Sequence, residues 1–134
     1  MASDYVVDAG AALEALTGET SAGMVLRTRI TESICHAPHL IDAEVGDVLR
    51  RAVIHGVVTE KAARTNLSVL SGLIDHRYPH AGVVAARAWE LRDTVRFYDA
   101  LYVALATMLG VPLLTTDVKL SKAPGLPCSV ELVG

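Results

Sequence analysis

The chain has 134 residues, 51% of them hydrophobic and only six aromatic, and its net charge is −3. That length suits a single domain, and the apolar content excludes a disordered chain while asking for a core of Val, Leu, Ile and Ala. The negative charge excludes a protein that coats nucleic acid by bulk electrostatics, whose footprint is a clearly basic domain.

Tyr5-Val6-Val7 is a short β-prone run that ends in Asp8, and Ala11 to Leu16 then predicts a helix stopped by Gly18. Ala22 to Ile30 predicts a second helix and Ser33 to Ala37 a second strand. After Pro38, the segment Leu40 to His55 places Ile41, Val45, Val48, Leu49 and Ala52 on one helical stripe, with Gly56 as its stop. Thr59 predicts the N-cap of a helix running to about Leu73. Arg77-Tyr78-Pro79 breaks the pattern, and His80 to Arg92 predicts a further helix. Tyr98 to Leu109 is apolar almost all round, which predicts a central helix ended by Gly110 and Pro112. A third strand is expected at Leu113 to Thr116 and a fourth at Ser129 to Val133, with a helical turn near Lys119 to Ala123 between them.

Strands alternating with helices predict an α/β domain with a mainly parallel central sheet covered on both faces. The apolar run Ala100 to Leu114 is interrupted by Thr107, Gly110 and Pro112, short of the roughly 20 residues that cross a bilayer, so no membrane span is expected. The start, MASDYVVDAG, has no basic segment and carries Asp4 and Asp8 where a secretory signal is apolar, which predicts a cytoplasmic protein. Cys35 and Cys128 lie far apart within apolar stretches and are expected as free thiols.

In open parallel sheets, ligands bind outside the carboxyl ends of the strands, near the point where strand order reverses. Asp8 follows the first strand and Asp117 the third in this reading, so both side chains leave the sheet at one edge. Glu44 stands at the border of the buried face of its helix, and Asp99 in the first turn of the nearly all-apolar one. Each acid alone is equally at home as a turn or cap residue. Gathered together, four carboxylates repel one another and call for a cation, and hard oxygen donors suit Mg²⁺ or Mn²⁺. Other chemistries lack their motifs: the five His residues include no HExxH, and no GxxxxGK[ST] or GxGxxG cradles a nucleotide.

Taken in order, YVVDAGAALEAL, APHLIDAEVGDVLRR, RYPHAGVVAARAWELRD and FYDALYVALATMLGVPLLTTD resemble the PIN-domain ribonucleases, particularly the VapC toxins of bacterial toxin and antitoxin pairs. The resemblance spans nearly the whole chain. It implies a three-layer α/β/α domain and an Mg²⁺- or Mn²⁺-dependent endoribonuclease in which Asp8, Glu44, Asp99 and Asp117 hold the metal and Thr115 supports them. It also implies a VapB-like antitoxin as partner, RNA as substrate and a homodimer. Glu44 and Asp99 join the strand-end pair only through this resemblance. Arg96 departs from the small hydroxyl residue that relatives often carry before the central helix, leaving Thr94 as an alternative cap and Arg96 free to meet substrate. Arg51, seven residues past Glu44 and so on nearly the same helix face, is the other residue expected to contact RNA. Arg50, Arg92, Lys119 and Lys122 are weaker choices. Two competing readings are a phosphate-accepting receiver domain, which lacks here the acidic cluster expected after the first strand, and a protein-binding module that keeps the fold without catalysis.

Overall fold

The computed structural model describes residues 3–134. Five strands, β1 (Asp4–Val7), β2 (Ile34–Pro38), β3 (His76–Tyr78), β4 (Leu113–Thr115) and β5 (Val130–Leu132), form one sheet in the order β3-β2-β1-β4-β5. All four pairings are parallel, with Val6 beside His36 on one side and Leu113 on the other. Parallel neighbours need crossover connections. Helices α1 (Ala9–Thr17) and α2 (Ser21–Thr31) join β1 to β2, and α3 (Leu40–Ile54) and α4 (Glu60–Leu73) join β2 to β3. Helices α5 (Val83–Trp89) and α6 (Phe97–Leu109) lead to β4, and the short α7 (Val118–Ser121) leads to β5.

Helix α6 packs on β1, β2 and β4 with α5 against it, while α1 packs on β4, and α2 and α3 on β2. Val6, Val7, Leu113 and Leu114 are fully buried, as strands covered on both faces require. Ala100 to Ala106 of α6 is buried at every position, so the helix without a polar face is indeed the central one. Thr59 caps α4 by accepting a hydrogen bond from Ala62 N, as its position predicts. Cys35 is buried with its thiol donating to the Ile30 carbonyl, Cys128 is half-buried, and both are free. Buried His36 is satisfied by Asp4 at 2.9 Å and the Tyr78 hydroxyl at 2.7 Å. Among the described residues, no helix is long and apolar enough to cross a membrane.

Two elements differ from the sequence expectation. His76 to Tyr78, expected only as a break, is an edge strand paired with β2; three polar or amphipathic residues carry no alternating apolar signal, and the pairing itself makes the strand. The helix expected over His80 to Arg92 is confined to Val83–Trp89. Gly82 sits at φ +68°, outside helical space, and the chain past Trp89 continues only as turns.

Candidate metal centre

The reversal in strand order falls between β1 and β4, and these neighbours carry Asp8 and Asp117 at their carboxyl ends. Both acids are also helix caps. Asp8 Oδ1 accepts from Ala11 N at 2.9 Å at the start of α1, and Asp117 Oδ1 accepts from Leu120 N at 3.2 Å at the start of α7. Each therefore has one oxygen held by the fold and the other unengaged by that bond. Glu44, in the second turn of α3, has Oε1 held by the Tyr102 hydroxyl at 2.6 Å. Asp99, in the first turn of α6, has Oδ2 4.0 Å from Arg96 Nε.

These four carboxylates face one hollow of about 240 Å³, lined also by Gly10, Tyr102 and Thr116. A Cβ on Gly10 would stand 2.4 Å from Thr116 Oγ1, so the α1 start and the β4–α7 turn approach closely here and a larger residue would make the Thr116 side chain give way. Thr115 is fully buried, and its Oγ1 accepts from Asp117 N at 3.0 Å, which fixes the turn that presents Asp117. A larger hollow of about 610 Å³ lies at the amino end of β1, but its Arg29 is already paired with Glu131 and Tyr5. Size alone does not mark the chemistry here.

The electrostatics single out the acidic hollow. The Asp8 carboxyl is raised from 3.8 to about 6, chiefly by burial and further by Asp99 and Glu44, against the opposing hydrogen bonds of Thr115 and Ala11. Glu44 is raised by burial and by Asp99, with the Tyr102 bond opposing. Asp99 is raised by burial and by Asp117, with Arg96 opposing. The Tyr102 phenol is pushed up by burial and by Glu44, so its hydroxyl stays a donor. Acids that destabilise one another's charge in a shared hollow are relieved by a cation, and a donor set made of hard oxygens fits a divalent one. Among the described residues, no three Asp, Glu, His or Cys side chains stand in a closed ligand set. The carboxylates face the hollow from four elements instead of converging on a point.

Arg51 and Arg96 line an adjoining groove of about 450 Å³ together with Tyr98, and the groove shares Gly10 and Glu44 with the acidic hollow. Arg51 is exposed and pairs with Asp47 at 3.4 Å, while Arg96 is 76% exposed beside Asp99. Arg96 occupies the N-cap position of α6 without a capping side-chain bond, and no hydrogen bond from Thr94 takes that role among the described residues. Arg50 also pairs with Asp47, at 3.9 Å, and Arg92 donates to the Trp89 carbonyl; neither lines the groove. Tyr102 is the site residue that sequence reasoning missed. The available signal was a hydroxyl three residues past Asp99, on the face of α6 that carries the acid.

A parallel α/β sheet with four carboxylates facing one hollow at its carboxyl edge defines an acidic-site α/β domain. The chain belongs to the PIN domain family, whose pattern it matches over residues 5–126. It is 56% identical to Ribonuclease VapC1 of Mycobacterium tuberculosis over 130 residues, covering 97% of this chain and 98% of that one. It is 38% identical to Ribonuclease VapC9 of the same organism over 128 residues, covering 96% and 97%. Among solved structures it is similar to PAE2754 from Pyrobaculum aerophilum, with a TM-score of 0.68 and 25% identity over 97% of this chain and 92% of that one. The VapBC2 structure from Rickettsia felis, bound to a promoter DNA fragment, shares the fold with a TM-score of 0.72 at 11% identity, covering 98% and 99%.

Proposed function

We propose that this chain is an Mg²⁺- or Mn²⁺-dependent endoribonuclease acting in the cytoplasm, the toxin of a VapBC-type pair, built as a single PIN domain over residues 1–134. The observation that carries the reading is the meeting of Asp8, Glu44, Asp99 and Asp117 around one hollow at the strand-order reversal. Near-full-length similarity to proteins named as VapC ribonucleases supports the activity. The partners that follow are RNA as substrate, a VapB-like antitoxin and a second copy of the chain.

The four carboxylates would hold the cation. Bound there, Mg²⁺ or Mn²⁺ supplies Lewis acidity, lowering the pKa of a water and offsetting charge that builds on the phosphoryl oxygens. Asp8 and Asp117 are held by their cap bonds, which fix the ligand oxygens without immobilising extra side chains on binding. Thr115 holds the Asp117 backbone and supports the Asp8 carboxylate. Arg51 and Arg96 stand where a nucleic-acid backbone entering the groove meets positive charge, and the Arg fork suits phosphate.

Cleavage of a labelled RNA by the purified chain, followed with Mg²⁺, with Mn²⁺ and with EDTA, tests this reading. The wild type should cut only with metal, and Asp99→Asn should not cut under any condition while keeping its far-ultraviolet dichroism. EDTA-resistant cleavage, or full activity in Asp99→Asn, rejects it. A protein-binding module without catalysis would give no cleavage in any lane.

A further inference from the structure

We propose that Tyr102 is a positioning residue of the metal centre, whose hydroxyl holds one oxygen of Glu44 so that the other is presented to the acidic hollow. The proposal rests on the reading of Asp8, Glu44, Asp99 and Asp117 as a divalent-cation site. Tyr102 lies three residues past Asp99, on the same face of α6, and lines the hollow with the four acids. Its side chain is buried, and its hydroxyl donates to Glu44 Oε1 at 2.6 Å. One helix therefore carries both a ligand and the donor that orients a second ligand coming from α3.

A buried phenol needs a hydrogen-bond partner, and a backbone carbonyl would serve that need as well as a carboxylate. The choice of Glu44 has a chemical effect. The terminal torsion of a glutamate is broad, so an untied carboxylate turns freely, bridges a cation with both oxygens or swings towards water. With Oε1 engaged by Tyr102, Glu44 offers its remaining oxygen in one direction. Hydrogen bonds of this kind to a metal ligand commonly change metal affinity 10- to 100-fold.

Tyr102→Phe keeps the ring and deletes only the donor. Mn²⁺ binding, followed by loss of the free-ion electron paramagnetic resonance signal, should weaken by about 10-fold or more. The Mg²⁺ concentration for half-maximal cleavage should rise by a similar factor, while kcat at saturating metal recovers and KM for RNA stays put. In a Glu44→Ala background the same substitution should cost no further Mn²⁺ affinity, because the two residues act as one unit. Unchanged Mn²⁺ affinity in Tyr102→Phe, or an equal loss with and without Glu44, overturns the proposal. If the Phe variant does not fold, fluorotyrosine-labelled protein gives the answer. Its Tyr102 resonance, assigned by elimination with Phe variants of Tyr5, Tyr78 and Tyr98, should move on adding Mg²⁺ and be silent in Glu44→Ala; a response indifferent to Glu44 overturns it. A wild-type chain that takes up no Mn²⁺ rejects the metal reading itself, and this one with it.

Discussion

Replacing Asp8 by Asn should stabilise the metal-free protein at neutral pH while abolishing cleavage. Asp8 is 8% exposed, and its carboxyl is raised from 3.8 to about 6, mainly by burial. A raised acid prefers its neutral form in the fold, so this group weakens stability progressively as pH rises from about 3.8 to 6, and its full effect is present above that window. The displacement corresponds to about 3 kcal/mol, at roughly 1.4 kcal/mol per pKa unit. Asn carries no charge at any of these pH values and still caps α1, since its side-chain oxygen accepts from Ala11 N as the Asp8 oxygen does. Urea unfolding in EDTA should therefore show the Asn variant close to wild type at pH 4 and up to about 3 kcal/mol more stable at pH 7.5. Metal should reverse the order, because a ligand at a thousand times its Kd stabilises the wild type by about 4.1 kcal/mol. A difference between the two proteins that is the same at pH 4 and pH 7.5 would refute the assignment of buried charge to Asp8.

Thr115→Val keeps the shape of a fully buried side chain but leaves Asp117 N without its 3.0 Å acceptor. Its stability, read from urea midpoints, should fall by about 1–3 kcal/mol, with a weaker Mn²⁺ response. Gly10→Ala drives a methyl to within 2.4 Å of Thr116 Oγ1, a clash that turning of the Thr116 side chain and the gain in helix propensity partly offset, and should lower stability by up to about 1 kcal/mol. Adding Thr116→Ala should return most of that loss; if it does not, the close approach is not the cause. Arg51→Ala and Arg96→Ala should each raise KM for RNA severalfold with little change in kcat or melting temperature, and a steady-state assay over a range of salt separates the two parameters.

The sequence made some of these elements legible and concealed others for definite reasons. Tyr5-Val6-Val7 runs into Asp8, and Leu113-Leu114-Thr115 is followed two residues on by Asp117, so strand runs and the strand-end rule for parallel sheets placed both acids at one edge. The edge strand His76–Tyr78 has no such pattern; it exists through hydrogen bonds to β2, a property of the pair that neither segment shows by itself. Glu44 and Asp99 sit on helices whose periodicity fixes a face but not the direction in which the helix points. Their meeting with Asp8 depends on how α3 and α6 lie on the sheet, which only similarity to known proteins anticipated. Tyr102 was hidden by its own chemistry, since an aromatic ring in an apolar helix reads as core until its hydroxyl is seen to have a carboxylate for a partner.

The cap bonds at Asp8 and Asp117 have a bearing on ion choice. Together with the Tyr102 bond they hold one oxygen on each of three acids, and Thr115 restrains Asp8 further, an arrangement that would favour a single-oxygen approach to a cation over chelation by both oxygens. A large ion such as Ca²⁺ fills six to eight positions and draws on chelating carboxylates, whereas Mg²⁺ takes six at a tighter radius and keeps several waters. Helix starts, ordinarily a matter of secondary-structure stability, would act in this fold as a size filter. A small ion held there would keep much of its hydration shell, and that shell is what a phosphate would displace.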